Sequence, residues 1–131
     1  MTASDGTTLD LLNDHKYANL TTFRKNGAGV ITPVWFARAG NQIYVMTIAD
    51  SGKVKRLRNN PHALLSPSDA RGKPLGGQIR MAGRLLTGAE AQVANDTLNK
   101  KYGLIKRGFD LFLKLRGSKG RQEFLAFDAA A

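Results

Sequence analysis

The chain has 131 residues, 42% hydrophobic and 23% charged, the size and balance of one compact unit over residues 1–131 rather than two. Twenty Lys and Arg against ten Asp and Glu leave a net charge of +10, so an anionic partner is expected: nucleic acid, an acidic membrane surface, or a phosphorylated or polycarboxylate small molecule. The lack of cysteine excludes disulfides, thiol nucleophiles and thiolate metal sites; apolar runs stay far below the ~18 residues of a bilayer crossing, and residues 1–6 lack the charged and apolar regions of a signal peptide, so a cytoplasmic location is expected.

Leu9, Leu11 and Leu12, leading to Tyr17, predict a short helix that packs down the amino terminus. Strands are expected at 20–24 and 30–38 on either side of Lys25-Asn26-Gly27, because Asn and Gly both tolerate the positive φ of a tight hairpin. Residues 30–37 are apolar on both alternating faces, which predicts cover on both sides, one side being a barrel interior and the other open to a second subunit. Ala39-Gly40-Asn41 turns the chain into a strand at 42–48. A helix is expected between Asp50 and Asn60, with Asp50 or Ser51 as its cap, Val54 and Leu57 on its buried face, and Pro61 ending it. A strand at 62–66, a Gly- and Pro-rich loop at 67–77 and a long strand at 78–86 follow. Thr87-Gly88-Ala89-Glu90 reads as a capping box opening a helix with Ala91, Ala94, Leu98 and Tyr102 on one face. Gly103 breaks it, Ile105, Phe109 and Phe112 mark a second amphipathic helix, and 123–127 form the closing strand. Antiparallel strands with one crossing helix and two late helices fit a mainly β fold, a small closed or split β-barrel with flanking helices.

The segment from Ser51 breaks a local rule. Lys53, Lys55 and Arg56 stand at the start of a helix, where the macrodipole already places positive charge. A phosphate held by the N–H groups of Ser51, Gly52 and Lys53 and closed over by the basic side chains resolves the conflict; a solvated basic face whose stems cover Val54 and Leu57 is the other reading. Pro33 is a second irregularity, because it removes a ladder donor. It marks either an edge strand or a place where a flat ring lies against Thr32-Pro33-Val34-Trp35. Trp35 and Phe36 are core or interface residues more often than ring platforms.

Between Lys100 and Arg121 eight basic residues face one acid, Asp110. That stretch can bind nucleic acid, lie on an anionic membrane, guide an anionic ligand or stay solvated; it carries no recognised nucleic-acid motif. Ser51-Gly52-Lys53 is not a P-loop, Gly27-Ala28-Gly29 is not a dinucleotide fingerprint, and His15 and His62 have no metal-ligand spacing, so no metal is expected. A chain this poor in nucleophiles and paired carboxylates, if an enzyme, takes its reactivity from a cofactor.

Leu20-Thr21-Thr22-Phe23 with Asn26-Gly27, then Thr32-Pro33-Val34-Trp35-Phe36, Ile43-Tyr44-Val45-Met46-Thr47 and the run from Ser51 to Pro61 together resemble the flavin- and deazaflavin-dependent oxidoreductases related to pyridoxamine phosphate oxidase. The branch it resembles most uses the deazaflavin coenzyme F420. The resemblance implies an FMN-binding-type split β-barrel, homodimeric, with the cofactor at the subunit interface. It implies that Lys53 and Lys55 bind the cofactor phosphate, with Thr47, Ser51 and Gly52 on the same cradle and Arg56 and Asn59 beside it. Thr32, Pro33, Val34 and Trp35, with Met46, would contact the ring system, and Gln78 and Arg80 would come from the partner subunit. The implied activity is hydride transfer from reduced F420 to an electron-poor double bond of a small substrate, with no catalytic side chain required. The same fold also serves FMN-binding oxidoreductases and tetrapyrrole binders; these, and a non-catalytic binder of nucleic acid or another anionic ligand, are the alternatives.

Overall fold

The computed structural model describes residues 9–48, 51–103 and 122–129, together with residues 105, 108, 111 and 115. A 3-10 turn at Asp10–Leu12 precedes β1 (Tyr17–Phe23), β2 (Gly29–Val34), β3 (Phe36–Ala39), β4 (Gln42–Ile48), helix α1 (Gly52–Asn59), β5 (His62–Ser68), β6 (Ile79–Leu86), helix α2 (Gly88–Tyr102) and β7 (Gln122–Ala129). The strands form one antiparallel sheet in the order β2-β1-β5-β6-β7-β4-β3. Its two edges, β2 and β3, are consecutive pieces of chain parted only by Trp35. A chain that leaves the β1 side of a sheet and joins the β4 side within one residue requires the sheet to curl round on itself, and this makes the barrel. The single strand expected at 30–38 is therefore two. One straight strand cannot pair with β1 along its first half and with β4 along its second.

Period-two alternation divides the apolar residues between two cores. Ile43, Val45, Leu125 and Phe127 point inward with Leu20, Leu65, Ile79 and Met81. Met46, Phe124 and Ala126 point outward and are covered by Ala94, Leu98 and Tyr102 of α2, the face expected for that helix. Cover on both sides of 30–37 holds at Val34, Phe36 and Ala37, whereas Ile31 is 61% exposed.

Local chemistry departs from expectation in three places. The first hairpin loop turns through an Arg24 C=O···H–N Gly27 bond of 2.9 Å with Gly27 at φ +89. Asn26 is not left-handed; its Oδ1 accepts from Ala28 N at 3.0 Å instead. Thr87 makes no side-chain cap, and Glu90 turns to Arg84, taking two guanidinium bonds of 2.9 and 3.2 Å, so the capping box is not formed. The forked ion pair has better geometry for a carboxylate than one backbone N–H. The amino-terminal helix is only a three-residue 3-10 turn, with Leu9 and Leu12 buried and Leu11 exposed.

The loop after β5 is tightly built. Asp69 Oδ1 accepts from Arg71 N and Lys73 N, both at 2.9 Å, and Asn19 Nδ2 donates to Gly72 O at 2.7 Å. Residues 105, 108, 111 and 115 are helical, and Ile105, Leu111 and Leu115 are exposed; Phe109, Phe112 and most of the basic stretch lie outside the described residues, as does Asp50. No helix among the described residues is long and apolar enough to cross a membrane.

Candidate functional site

The end of β2, the end of β4 and the start of α1 converge because α1 begins four residues after β4 ends. Between them opens a cavity of about 320 Å³ lined by Pro33, Val34, Trp35, Met46, Thr47, Ile48 and Lys53. One wall is apolar and aromatic. Trp35 is held by the Tyr102 ring, stacked on it at 5.0 Å and 17°. Tyr102 is fixed in turn by its hydroxyl, which accepts from Phe36 N at 2.9 Å and sends its single proton to Lys16 O at 2.6 Å or Phe36 O at 2.8 Å. Burial pushes its pKa upward, so it stays a neutral donor. Tyr102→Phe strands the buried Phe36 N–H and is expected to destabilise the fold by about 1–3 kcal/mol, read from urea unfolding, and to blue-shift or red-shift Trp35 emission.

The opposite end is cationic. Ser51 stands at the N-cap of α1 but makes no side-chain cap; its hydroxyl lies 3.2 Å from the Thr47 hydroxyl. No acid occupies the first turn of the helix, so its free N–H groups face outward unopposed. Arg56 folds back over them: a Cβ on Gly52 would stand 2.6 Å from its Nη1. Its Nε donates to Thr22 Oγ1 at 2.6 Å, a neutral partner. Burial and then Arg56 pull the Lys53 amine below its ordinary pKa, and burial and then Arg24 do the same to Arg56. Among the described residues neither Lys53 nor Arg56 is in an ion pair. Three cations and a helix N-terminus thus crowd one spot, and among the described residues no carboxylate forms an ion pair with Lys53 or Arg56, the electrostatics of an anion site.

The structure brings Pro33, Val34, Trp35, Met46, Thr47 and Lys53 to one cavity, with Ser51, Gly52 and Arg56 at its cationic end. It does not bring Lys55 or Asn59 there. Both are exposed, and Asn59 Nδ2 bonds Lys55 O at 3.3 Å. At 3.6 residues per turn Lys53 shares its face with Arg56, while Lys55 shares a different one with Asn59. Thr32, paired with Leu20 in the β1 register, does not line the cavity. Gln78 and Arg80 are exposed at the start of β6 and do not line this cavity in their own chain. Arg24, Thr22 and Tyr102 were missed as site residues; their approach is set by strand pairing and a contact across 67 residues, which local spacing does not encode. Among the described residues no three His, Cys, Asp or Glu come together as a metal site.

Comparison with solved structures places this architecture. An F420 reductase superimposes with a TM-score of 0.59 at 18% identity, over 93% of this chain and 92% of the other. An FAD-binding protein from Mesorhizobium loti gives 0.60 at 13% identity, over 100% and 90%. A heme storage protein from Vibrio cholerae gives 0.63 at 11% identity, over 98% and 91%. At such identities the likeness establishes the fold alone. No curated protein matches the sequence. Residues 5–129, nearly the whole chain, match the family model described as pyridoxamine 5'-phosphate oxidase, and the chain belongs to that family of split β-barrels.

Proposed function

We propose that the chain is a reductase dependent on the deazaflavin coenzyme F420 and acting on a small organic molecule with an electron-poor double bond. The observation that carries this reading is the uncompensated Lys53–Arg56 cluster at the uncapped start of α1, opening onto a cavity walled by Pro33 and Trp35. A phosphate-bearing ring cofactor matches both ends: anion at one, flat apolar body at the other. Lys53, Arg56 and the α1 N–H groups would hold the phosphate, with the Thr47 and Ser51 hydroxyls beside it. Pro33, Val34, Trp35 and Met46 would orient the ring and exclude water from one of its faces. When bound in its reduced form, the deazaflavin would supply the hydride. The net charge of +10, with exposed Lys55 and Arg58 on the same helix, favours the coenzyme that carries a polyglutamate tail as well as a phosphate.

The reading includes a homodimer. Ile31, 61% exposed beside Pro33 on the edge strand β2, is the kind of residue a second copy covers, and Gln78 and Arg80 would then act toward the partner's cavity. Titration with F420 and, separately, with flavin mononucleotide, followed by fluorescence polarisation, tests the proposal. Saturable binding of F420 at one per subunit is expected. Preference for flavin mononucleotide would transfer the site to a flavin oxidoreductase, and binding of neither would refute both.

A further inference from the structure

Beyond α2 the chain turns apolar side chains to water. Leu115, 79% exposed, is the most exposed large apolar side chain among the described residues, and Ile105 and Leu111 stand at 59% and 58%. Residues 105, 108, 111 and 115 are helical, at spacings of three, three and four, and at about 100° per residue such positions fall within about 120° on one side of a helix. A stripe of this spacing ordinarily faces a core; exposed, it marks a surface that something else covers. The same stretch is strongly basic in sequence. Residues 104–121 hold six Lys and Arg against the single acid Asp110, a net +5. Lys101, just before it, is drawn onto the barrel instead: its ammonium rests 3.5 Å above the centre of the Phe36 ring and donates to Phe36 O at 2.9 Å, and desolvation there holds the amine down at about 8.

We propose that this stretch is an interfacial anchor, which lays Ile105, Leu111 and Leu115 into the surface of an anionic phospholipid bilayer while its Lys and Arg meet the headgroups. The two features together select the partner. Aliphatic side chains gain area to bury among acyl chains, and basic residues gain attraction from anionic headgroups, each strengthening the other on one short segment. A nucleic acid would satisfy the charge and leave the aliphatic stripe in water. A second copy would bury the stripe and bring two +5 segments together, on a chain that already carries +10. No helix among the described residues is long and apolar enough to cross a membrane, so the contact is one of lying on the bilayer.

The test uses the full chain with one dye. The sequence has no cysteine, and a Cβ at Gly108 meets nothing within 4 Å, so Gly108→Cys takes a single environment-sensitive fluorophore beside the stripe. A saturable blue shift is expected on adding phosphatidylglycerol vesicles, with binding to phosphatidylcholine vesicles at least about tenfold weaker. The same dye at Gly77→Cys, where a Cβ also meets nothing within 4 Å, is expected to stay unshifted. Leu111→Gln with Leu115→Gln keeps every charge, and co-sedimentation with the phosphatidylglycerol vesicles is expected to fall about 10- to 100-fold. Ile105→Gln alone, expected to lower it about three- to tenfold, decides the matter if the double variant does not fold. Undiminished binding of the glutamine variants, or equal binding to the two lipids, would overturn the proposal. A shift as large with soluble polyglutamate would overturn it in favour of an acidic protein partner, and a concentration-dependent shift without vesicles, abolished by the double variant, in favour of a second copy.

Discussion

Lys53→Ala is expected to weaken binding of a phosphate-bearing deazaflavin or flavin by about 1.5–3 kcal/mol, some 10- to 150-fold, the worth of a charge-assisted hydrogen bond. Among the described residues Lys53 is the one basic side chain lining the first cavity, and it shares its helical face with Arg56, whose guanidinium lies over the α1 N-terminus. Without a bound anion the two cations repel, and burial with Arg56 depresses the Lys53 amine. The variant without ligand is therefore expected to be as stable as the wild type or slightly more so, which separates lost binding from lost folding in a single pair of melting curves. Lys55→Ala is the control. Its side chain is exposed on a different face, so a change of about threefold or less is expected. Equal losses from the two variants would mean that long-range charge alone, and not this cradle, recognises the anion.

Gly83→Val is expected to destabilise the fold by about 3 kcal/mol, measured by urea unfolding. Gly83 on β6 stands directly opposite Phe127 on β7, and the ring lies across the glycine: a Cβ would sit 2.4 Å from Phe127 Cε1 and 2.7 Å from Cδ1. Phe127 has no exposed surface and belongs to the interior core with Ile43 and Leu125, so the ring cannot swing aside without reopening that packing. Gly77→Ala is the comparison, since nothing lies within 4 Å of a Cβ there and a change within about 0.5 kcal/mol is expected. A stable Gly83→Val protein would place the Phe127 ring elsewhere.

Lys101 also gives the stability a pH dependence. Its folded-state pKa of about 8 lies below the ordinary 10.5. Between these values the unfolded chain holds a proton that the folded chain has lost, so this group makes stability rise with pH across that window. Among the described residues the charged and titratable groups around it are Arg38 on β3, Asp14 after the 3-10 turn, and Lys100 and Tyr102 on α2. The gradient is expected to be shallow because part of the side chain keeps its contact with water, and to vanish in Lys101→Met, read as the difference between the two proteins' urea midpoints at pH 8 and pH 10.

Within the described residues, and apart from the break at Trp35, the sequence by itself determined the element types and their order, because hydrophobic period and turn chemistry are local. Alternation in 42–48, the Val54 and Leu57 pair, and the Ala94, Leu98 and Tyr102 face all reach the sides they predict. The cationic cluster at the start of α1 was legible too, since basic residues on the positive end of a helix conflict with a local rule wherever the helix is placed. Even the partner of Lys53 was within reach: helical spacing points to Arg56, although the resemblance pointed to Lys55. Tertiary structure alone decided what depends on distant segments meeting. The bend at Trp35 follows from β2 and β3 closing opposite edges of one sheet. Glu90 leaves its capping role because Arg84, brought alongside, offers it two bonds. Tyr102 backs Trp35 across 67 residues, and Gly83 admits Phe127 because strand register sets them opposite. Such contacts are fixed by sheet closure and packing, whose cost and reward arise only when the whole chain is compact, and no window of local sequence carries them.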